Sequence, residues 1–192
     1  MEPWGIAPLS CERVAEQYHA LKLGLGFAHI HYAVKANPTR EIIERLVALG
    51  SHFDAASRAE IELCLSQGAA PETISFGNTI KKPSDIGFAY KAGVRLFAAD
   101  AEEELEKIAE HAPGVEVYIR VIVENSQADW PLSRKFGCRE SMVPALFARA
   151  VALGLAPVGL SFHVGSQTRR ADMWIGVLDH VAAIWDDLKA RG

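Results

Sequence analysis

The 192-residue sequence is short of the features that settle a protein's class at a glance. It holds three cysteines, Cys11, Cys64 and Cys138, odd in number and far apart. Such a set gives no disulfide framework and no metal-ligand spacing, so reduced, buried thiols are expected. No apolar run approaches the roughly 18 residues of a membrane span, which excludes the membrane as partner. The first residues, MEPWGIAPLSCERV, lack a basic stretch followed by an apolar one, so no signal peptide is expected. Charge of one sign is missing too. Lys+Arg 20 against Asp+Glu 24 leaves a formal net charge of −4, which argues against a nucleic-acid partner. The cytoplasm is the compartment these absences leave as the expectation.

What is there is a rhythm. Hydrophobic residues make up 49% and charged residues 23%, enough for one domain with a sizeable core. Strand-like apolar runs begin at His31, Phe53, Ile74, Arg95, Glu116 and Val158, with intervals of 22, 21, 21, 21 and 42, the last being two steps. Helical patterns lie between them. In TREIIERLVALG the apolar Ile42, Ile43, Leu46 and Val47 share one helix face, and Gly50 stops it. SRAEIELCLSQG repeats the plan, with Ser57 as N-cap candidate and Gly68 as stop. Ser84 and Asp100 are cap candidates for the next two helices, and MVPALFARAVALG and DMWIGVLDHVAAIWDDLKARG supply two more.

Strands alternating with helices at this pace describe a parallel α/β sheet of βα units. An open doubly wound sheet and a (β/α)₈ barrel are the two closures available. The first βα turn, KANPT, has no Gly-rich fingerprint, which weakens the dinucleotide-binding alternative. Six units fall short of a barrel of about 250 residues. The expectation is therefore a partial (β/α)₈ barrel of about six βα units, one domain over residues 1–192.

In both folds ligands meet the carboxyl ends of the strands. Those ends carry Lys35 and Asn37, Asp54 and Ser57, Gly77 and Asn78, Asp100, Arg120, and then His163, Gly165 and Ser166. Each has a plainer reading. A lysine at a strand end commonly reaches solvent. Asp54 and Ser57 suit caps of the helix containing Glu60, and Gly77 and Asn78 suit a turn. Asp100 suits an N-cap, Arg120 an ion-pair partner for Asp54, and His163 a satisfied core histidine. Gly165 and Ser166 suit an ordinary helix start. The first member of the set raises the sharpest question. Within HYAVKANPT, Lys35 sits in an apolar run, where an ammonium costs several kcal/mol unless it is paired or neutral. A desolvated lysine is nucleophilic toward aldehydes. A Gly-Ser helix start receives phosphate, and an imidazole lies flat on an aromatic ring. Pyridoxal 5'-phosphate satisfies all of these demands.

YAVKANP, FDAASRAEIELCL, ISFGNTIK, WPLSRKFG and GLSFHVGSQ, in this order over Tyr32 to Gln167, resemble the ornithine decarboxylase family. These are fold-type III pyridoxal-phosphate enzymes with an alanine-racemase-like barrel, related to lysine, diaminopimelate and arginine decarboxylases. The resemblance implies that Lys35 carries the cofactor covalently and that Asp54 and Glu60 belong to the polar network around it. It implies Arg120 in the same surround, His163 stacked on the ring and taking part in catalysis, and Ser166, beside Gly165, on the phosphate. Lys135 matches a lysine lying toward a dimer partner. The reaction implied is decarboxylation of a small basic amino acid, ornithine to putrescine in polyamine biosynthesis, by a homodimer. A catalytically silent cofactor-binding relative and a fragment that binds nothing are the alternatives. The family continues with a Gly-rich phosphate loop, a carboxylate for the pyridinium nitrogen and a C-terminal β domain. The 192 residues thus read as an N-terminal portion lacking that domain and inactive alone.

Overall fold

The computed structural model describes residues 10–123, 135–164 and 172–190. Six strands form one sheet: β1 (His31–Ala33), β2 (His52–Ala55), β3 (Ile74–Phe76), β4 (Leu96–Ala99), β5 (Glu116–Arg120) and β6 (Ala156–Ser161). Their order in space is their order in the chain, and every neighbouring pair is parallel. A doubly wound sheet reverses its order at a switch point. This one never does, so the winding is that of a barrel and the fold is part of a (β/α) barrel.

Between the strands lie α2 (Arg40–Ala48), α3 (Arg58–Ser66), α4 (Pro83–Lys91), α5 (Glu102–His111) and α6 (Val143–Ala152), with α7 (Asp172–Ala190) after β6. The helices from α2 to α6 touch in sequence, each against the next, as one outer layer does. In α2 the expected stripe is the buried one: Ile42, Ile43 and Leu46 face the sheet. Each such side chain contributes roughly 1.5–3 kcal/mol by leaving water. Gly50 and Gly68 end α2 and α3 as expected, with φ of 75° and 89°, a region costly to residues with a Cβ.

A further helix, α1 (Cys11–Gly24), precedes β1 and packs on α2. It was not among the expected elements because its apolar residues do not gather on one side. Ala15 and Tyr18 are buried, whereas Leu21 and Leu23 are exposed. Its start is conventional, with the Ser10 side chain accepting from the Arg13 N–H at 3.2 Å. Two expected caps are corrected. α4 begins at Pro83 with Lys82 at the cap position, and Ser84 lies inside its first turn. α5 begins at Glu102 with Ala101 at the cap. Asp100 is instead turned toward the chain crossing above it, and its Oδ2 accepts from the Gly137 N–H at 2.7 Å.

The core lies between sheet and helix layer. Phe53 and Ala55 of β2, Ile74 and Phe76 of β3, Phe97 of β4, and Val117 and Ile119 of β5 are all fully buried. Register places Phe53 beside Ile74 and Phe76 beside Phe97. The residues between them, Asp54, Ser75, Tyr118 and Arg120, face the other way and line a cavity. The strands were read as mostly apolar runs with polar ends; in fact they alternate, because successive side chains of an extended chain leave opposite faces. Among the described residues, β1 pairs only with β2 and β6 only with β5. No helix among them is long and apolar enough to cross a membrane.

At the amino-terminal end of the sheet three histidines meet. The rings of His29 and His52 lie 4.3 Å apart and those of His31 and His52 4.9 Å apart. Burial pushes the pKa of His31 and of His52 down, and neighbouring histidine charges push the same way. The unfolded chain takes up these protons near the ordinary histidine value of about 6.5, while the fold resists them. Stability from this cluster is therefore present above that value and is lost as pH falls below it. The urea midpoint is expected to fall between about pH 7 and pH 5.5. In His52→Phe the fall is expected to be shallower, and an equally steep fall would place the pH dependence elsewhere.

Candidate active site

At the carboxyl ends of the strands lies a cavity of about 640 Å³ whose walls include Lys35, Asp54, Ser75, Gly77, Asn78, Tyr118, Arg120, Phe136 and His163. The fold builds it by a simple rule. Strand residues two apart face the same way, so Ser75 with Gly77 and Tyr118 with Arg120 enter it as pairs.

Lys35 is not inside a strand. β1 ends at Ala33, and the chain tightens into a 3₁₀ turn over Val34–Ala36. Val34 is fully buried beneath that turn, whereas Lys35 stands exposed on the cavity rim. The expectation of a buried amine at Lys35 is corrected for the described residues, because the side chain enters the cavity mouth beside β1, which pairs only with β2 among them. Asn37, which follows, accepts from the Thr39 N–H at 3.2 Å and so organises the start of α2.

The lysine buried in apolar surroundings is Lys81. Its side chain is 0% exposed, and Nζ lies 2.9 Å from Glu104 Oε1. It also donates to the carbonyls of Asn78 at 2.8 Å and Ala98 at 2.6 Å. Burial, opposed by the Glu104 carboxylate, leaves its pKa lowered to about 8. Lys81 thus ties the loop bearing Gly77 and Asn78 to the end of β4 and to α5.

Asp54 faces the cavity between buried Phe53 and Ala55. Burial raises its pKa, against the charges of Lys35 and Arg120 and a hydrogen bond from Ser75, which lower it. Its Oδ1 occupies space that any side chain at position 77 would fill: a Cβ on Gly77 would lie 1.7 Å from it. Arg120, at the end of β5, has its guanidinium 5.5 Å from the centroid of the Phe136 ring. The pKa of His163 is pushed down by burial and by the charges of Arg120 and Lys35, so its imidazole is neutral near pH 7. Two cations, one carboxyl and a neutral flat ring make the cavity attractive to an anionic aromatic ligand.

Glu60 does not line the cavity. Its Oε2 accepts from the Ala56 N–H at 2.6 Å, and its own N–H donates to Ser57 Oγ at 3.3 Å. Ser57 thus caps α3, while the Glu60 side chain reaches back past the N-cap to fix Ala56, which does line the cavity. Ser57 is the N-cap that the sequence suggested. Lys135 is exposed and lies over Phe136, Nζ 5.1 Å from the ring centroid. Gly165 and Ser166 fall outside the described residues. Ser75 and Tyr118 were not anticipated. The signal was available in the two-residue repeat, which places each beside a residue that had been singled out, Gly77 and Arg120.

Residues 11–192 match the family described as pyridoxal-dependent decarboxylase, pyridoxal binding domain. An ornithine decarboxylase of Nicotiana glauca is 40% identical over 162 residues, covering 84% of this chain and 37% of that protein. The lysine/ornithine decarboxylase of Selenomonas ruminantium is 34% identical over 183 residues, covering 95% of this chain and 47% of its own length. Among solved structures, the arginine decarboxylase of Paramecium bursaria Chlorella virus superposes with a TM-score of 0.90 at 27% identity, covering 95% of this chain and 50% of that one. The chain thus spans half or less of the length of these relatives.

Two substitutions check the geometry. Gly77→Ala is expected to displace the Asp54 carboxyl group, since a side-chain tip yields more readily than a strand. Stability should change by no more than about 1 kcal/mol, while the carbon-13 carboxyl signal of Asp54 shifts; an unmoved signal would contradict the packing. Lys81→Ala is expected to cost about 3 kcal/mol in urea unfolding, as loss of one partner of a buried ion pair does. Glu104 retains Lys107 at 2.6 Å, which keeps the cost from rising further.

Proposed function

Since the chain belongs to the pyridoxal-dependent decarboxylases, through their pyridoxal binding domain, we propose that residues 1–192 form the N-terminal cofactor-binding domain of a basic amino-acid decarboxylase. The observation that carries this reading is the convergence of Lys35, Asp54, Arg120 and His163, from four different strand ends, on one cavity.

That set fits pyridoxal phosphate. Lys35 offers a primary amine at the rim, placed to attach an aldehyde covalently. Arg120 and Lys35 supply positive charge toward a phosphorylated ring. His163, neutral and flat, offers a face for stacking. Asp54, with its affinity for a proton raised by burial, is suited to hold or return a proton beside Lys35. Glu60 acts at one remove, through Ala56. Gly165 and Ser166 complete the proposal as phosphate ligands, on the strength of the sequence resemblance alone. Bound here, pyridoxal phosphate supplies an electron sink for the pair left behind when CO₂ departs. The protein's part would be to hold the cofactor through Lys35, Arg120 and His163 and to orient the amino acid beside it.

Ornithine, giving putrescine for polyamine synthesis, is the substrate we propose. The motifs FGNTIKKPSDI and WPLSRKFGC support it, as does an ornithine decarboxylase among the more similar relatives. Relatives acting on lysine and arginine make those the competing substrates within the same class. We further propose a homodimer, with Lys135 toward the partner, and a cytoplasmic location. The free thiols Cys11, Cys64 and Cys138 are in keeping with a reducing compartment. The 192 residues alone are proposed to be inactive, since among the described residues β1 pairs only with β2 and β6 only with β5, and the chain spans half or less of the length of its relatives.

The test is release of CO₂ from carboxyl-labelled ornithine, lysine and arginine by purified protein with added pyridoxal phosphate. Ornithine is expected to be turned over fastest by a full-length protein, with no turnover by residues 1–192 alone. In Lys35→Ala the cofactor mass fixed by borohydride is expected to vanish. An adduct persisting in that variant would remove Lys35 from its role.

A further inference from the structure

Beneath the cavity, the inner face of the sheet sets polar groups among the branched apolar side chains, Leu96, Val158 and Leu160, that ordinarily fill a barrel interior. Ser75 is the centre of this floor. It is only 3% exposed, and the strand register sets it directly beside Asp54. Its Oγ lies 3.5 Å from Asp54 Oδ1, 3.3 Å from the Phe53 carbonyl and 3.5 Å from His31 Nδ1. A hydroxyl has one proton to give, and three acceptors compete for it unless one of them is a donor. His31 is the group able to change sides. With its proton on Nδ1 it satisfies the Phe53 carbonyl, its other partner, and with Tyr118 also bonded to Ser75 the serine proton is left for Asp54. Gly77, two residues along the same strand face, closes the other side of Oδ1, where a Cβ would lie 1.7 Å away.

We propose that Ser75 is a positioning residue for Asp54: its hydroxyl, oriented by His31, holds Oδ1 against Gly77 and so keeps the carboxylate within the field of Lys35 and Arg120. The proposal rests on the reading that Asp54 and Lys35 face the cofactor. It adds that the carboxylate is aimed from below by side chains that never touch the ligand. The groups facing Asp54 come from each surrounding element: His31 and Lys35 from β1 and its turn, Ser75 from β3, Tyr118 and Arg120 from β5, and His163 after β6. Of these, Ser75 is bonded to Oδ1 itself. A hydrogen bond to a carboxylate favours its charged form, so the titration of Asp54 reports whether the bond is made.

The experiment is a carbon-13 titration of Asp54 in protein freed of pyridoxal phosphate, comparing wild type with Ser75→Ala, Ser75→Thr and His31→Phe. Ser75→Ala is expected to move the Asp54 midpoint upward, and Ser75→Thr, which restores a hydroxyl, to return it. His31→Phe is expected to move it in the same direction as Ser75→Ala. It serves as the second route should the buried serine variant fail to fold, since it replaces one ring by another of similar size and leaves Ser75 in place. Pyridoxal phosphate affinity in Ser75→Ala should fall about fivefold, the effect of one lost hydrogen bond. An Asp54 midpoint that stays in place in both Ser75→Ala and His31→Phe would overturn the proposal, and so would a moved midpoint that threonine fails to restore. The titration is read without cofactor, so its failure is distinct from failure of the cofactor-binding reading, which the Lys35→Ala adduct decides.

Discussion

Each strand of this sheet has to satisfy two environments at once, and the two-residue repeat of extended chain is what permits it. Phe53 and Ala55 press into the helix layer while Asp54, held between them, enters the cavity. Val117 and Ile119 do the same for Tyr118 and Arg120. Burial of one phenylalanine side chain contributes roughly 1.5–3 kcal/mol. The ladder of Phe53, Phe76 and Phe97 can therefore offset the cost of withdrawing a carboxyl group from water on the opposite face. Chemistry on the inner face depends on packing on the outer one.

The charges in the cavity are mutually adjusted. Asp54 is drawn toward its neutral form by burial and back toward its charged form by Lys35 and Arg120. Those two cations also help keep His163 neutral. Each of these groups rides on a different strand end, so the balance exists only when the parallel ladder is formed in register. Lys81 serves this assembly from outside the cavity, joining the β3 loop, the end of β4 and α5 with hydrogen bonds and a buried ion pair. Its burial is tolerated because the ammonium is paired and bonded to carbonyls.

The histidines at the other end of the sheet show that polarity runs through the barrel interior. His31 lines both the candidate active site and a second cavity bordered by His29, His52, Arg95 and Glu116. The floor of the site therefore places hydrogen-bonding groups around Ser75 among apolar residues such as Leu96 and Leu160. A floor of that kind fixes the direction of a carboxylate where a wholly apolar one would leave it to turn.

Much of this was legible in the sequence because its signals are local. The interval of about 21 residues between apolar runs gave six βα units, and the described residues hold six strands at those places. The stripe of Ile42, Ile43 and Leu46, the glycines at 50 and 68 and the Ser57 cap depend on neighbours within one or two turns. The motifs from YAVKANP to GLSFHVGSQ carried the family, which the comparisons with known proteins bear out. Tertiary structure alone decided the rest. It fixed the strand order that bears out the expected barrel winding, since strand order is a relation between residues some 20 positions apart or more. It set Lys35 on an exposed rim and made Lys81 the buried amine, because burial depends on what the rest of the chain brings alongside. Glu60 became the keeper of Ala56, and Ser75 the neighbour of Asp54. A sequence states which groups are present and how they repeat; which of them compete for one proton is fixed only when separate strands lie side by side.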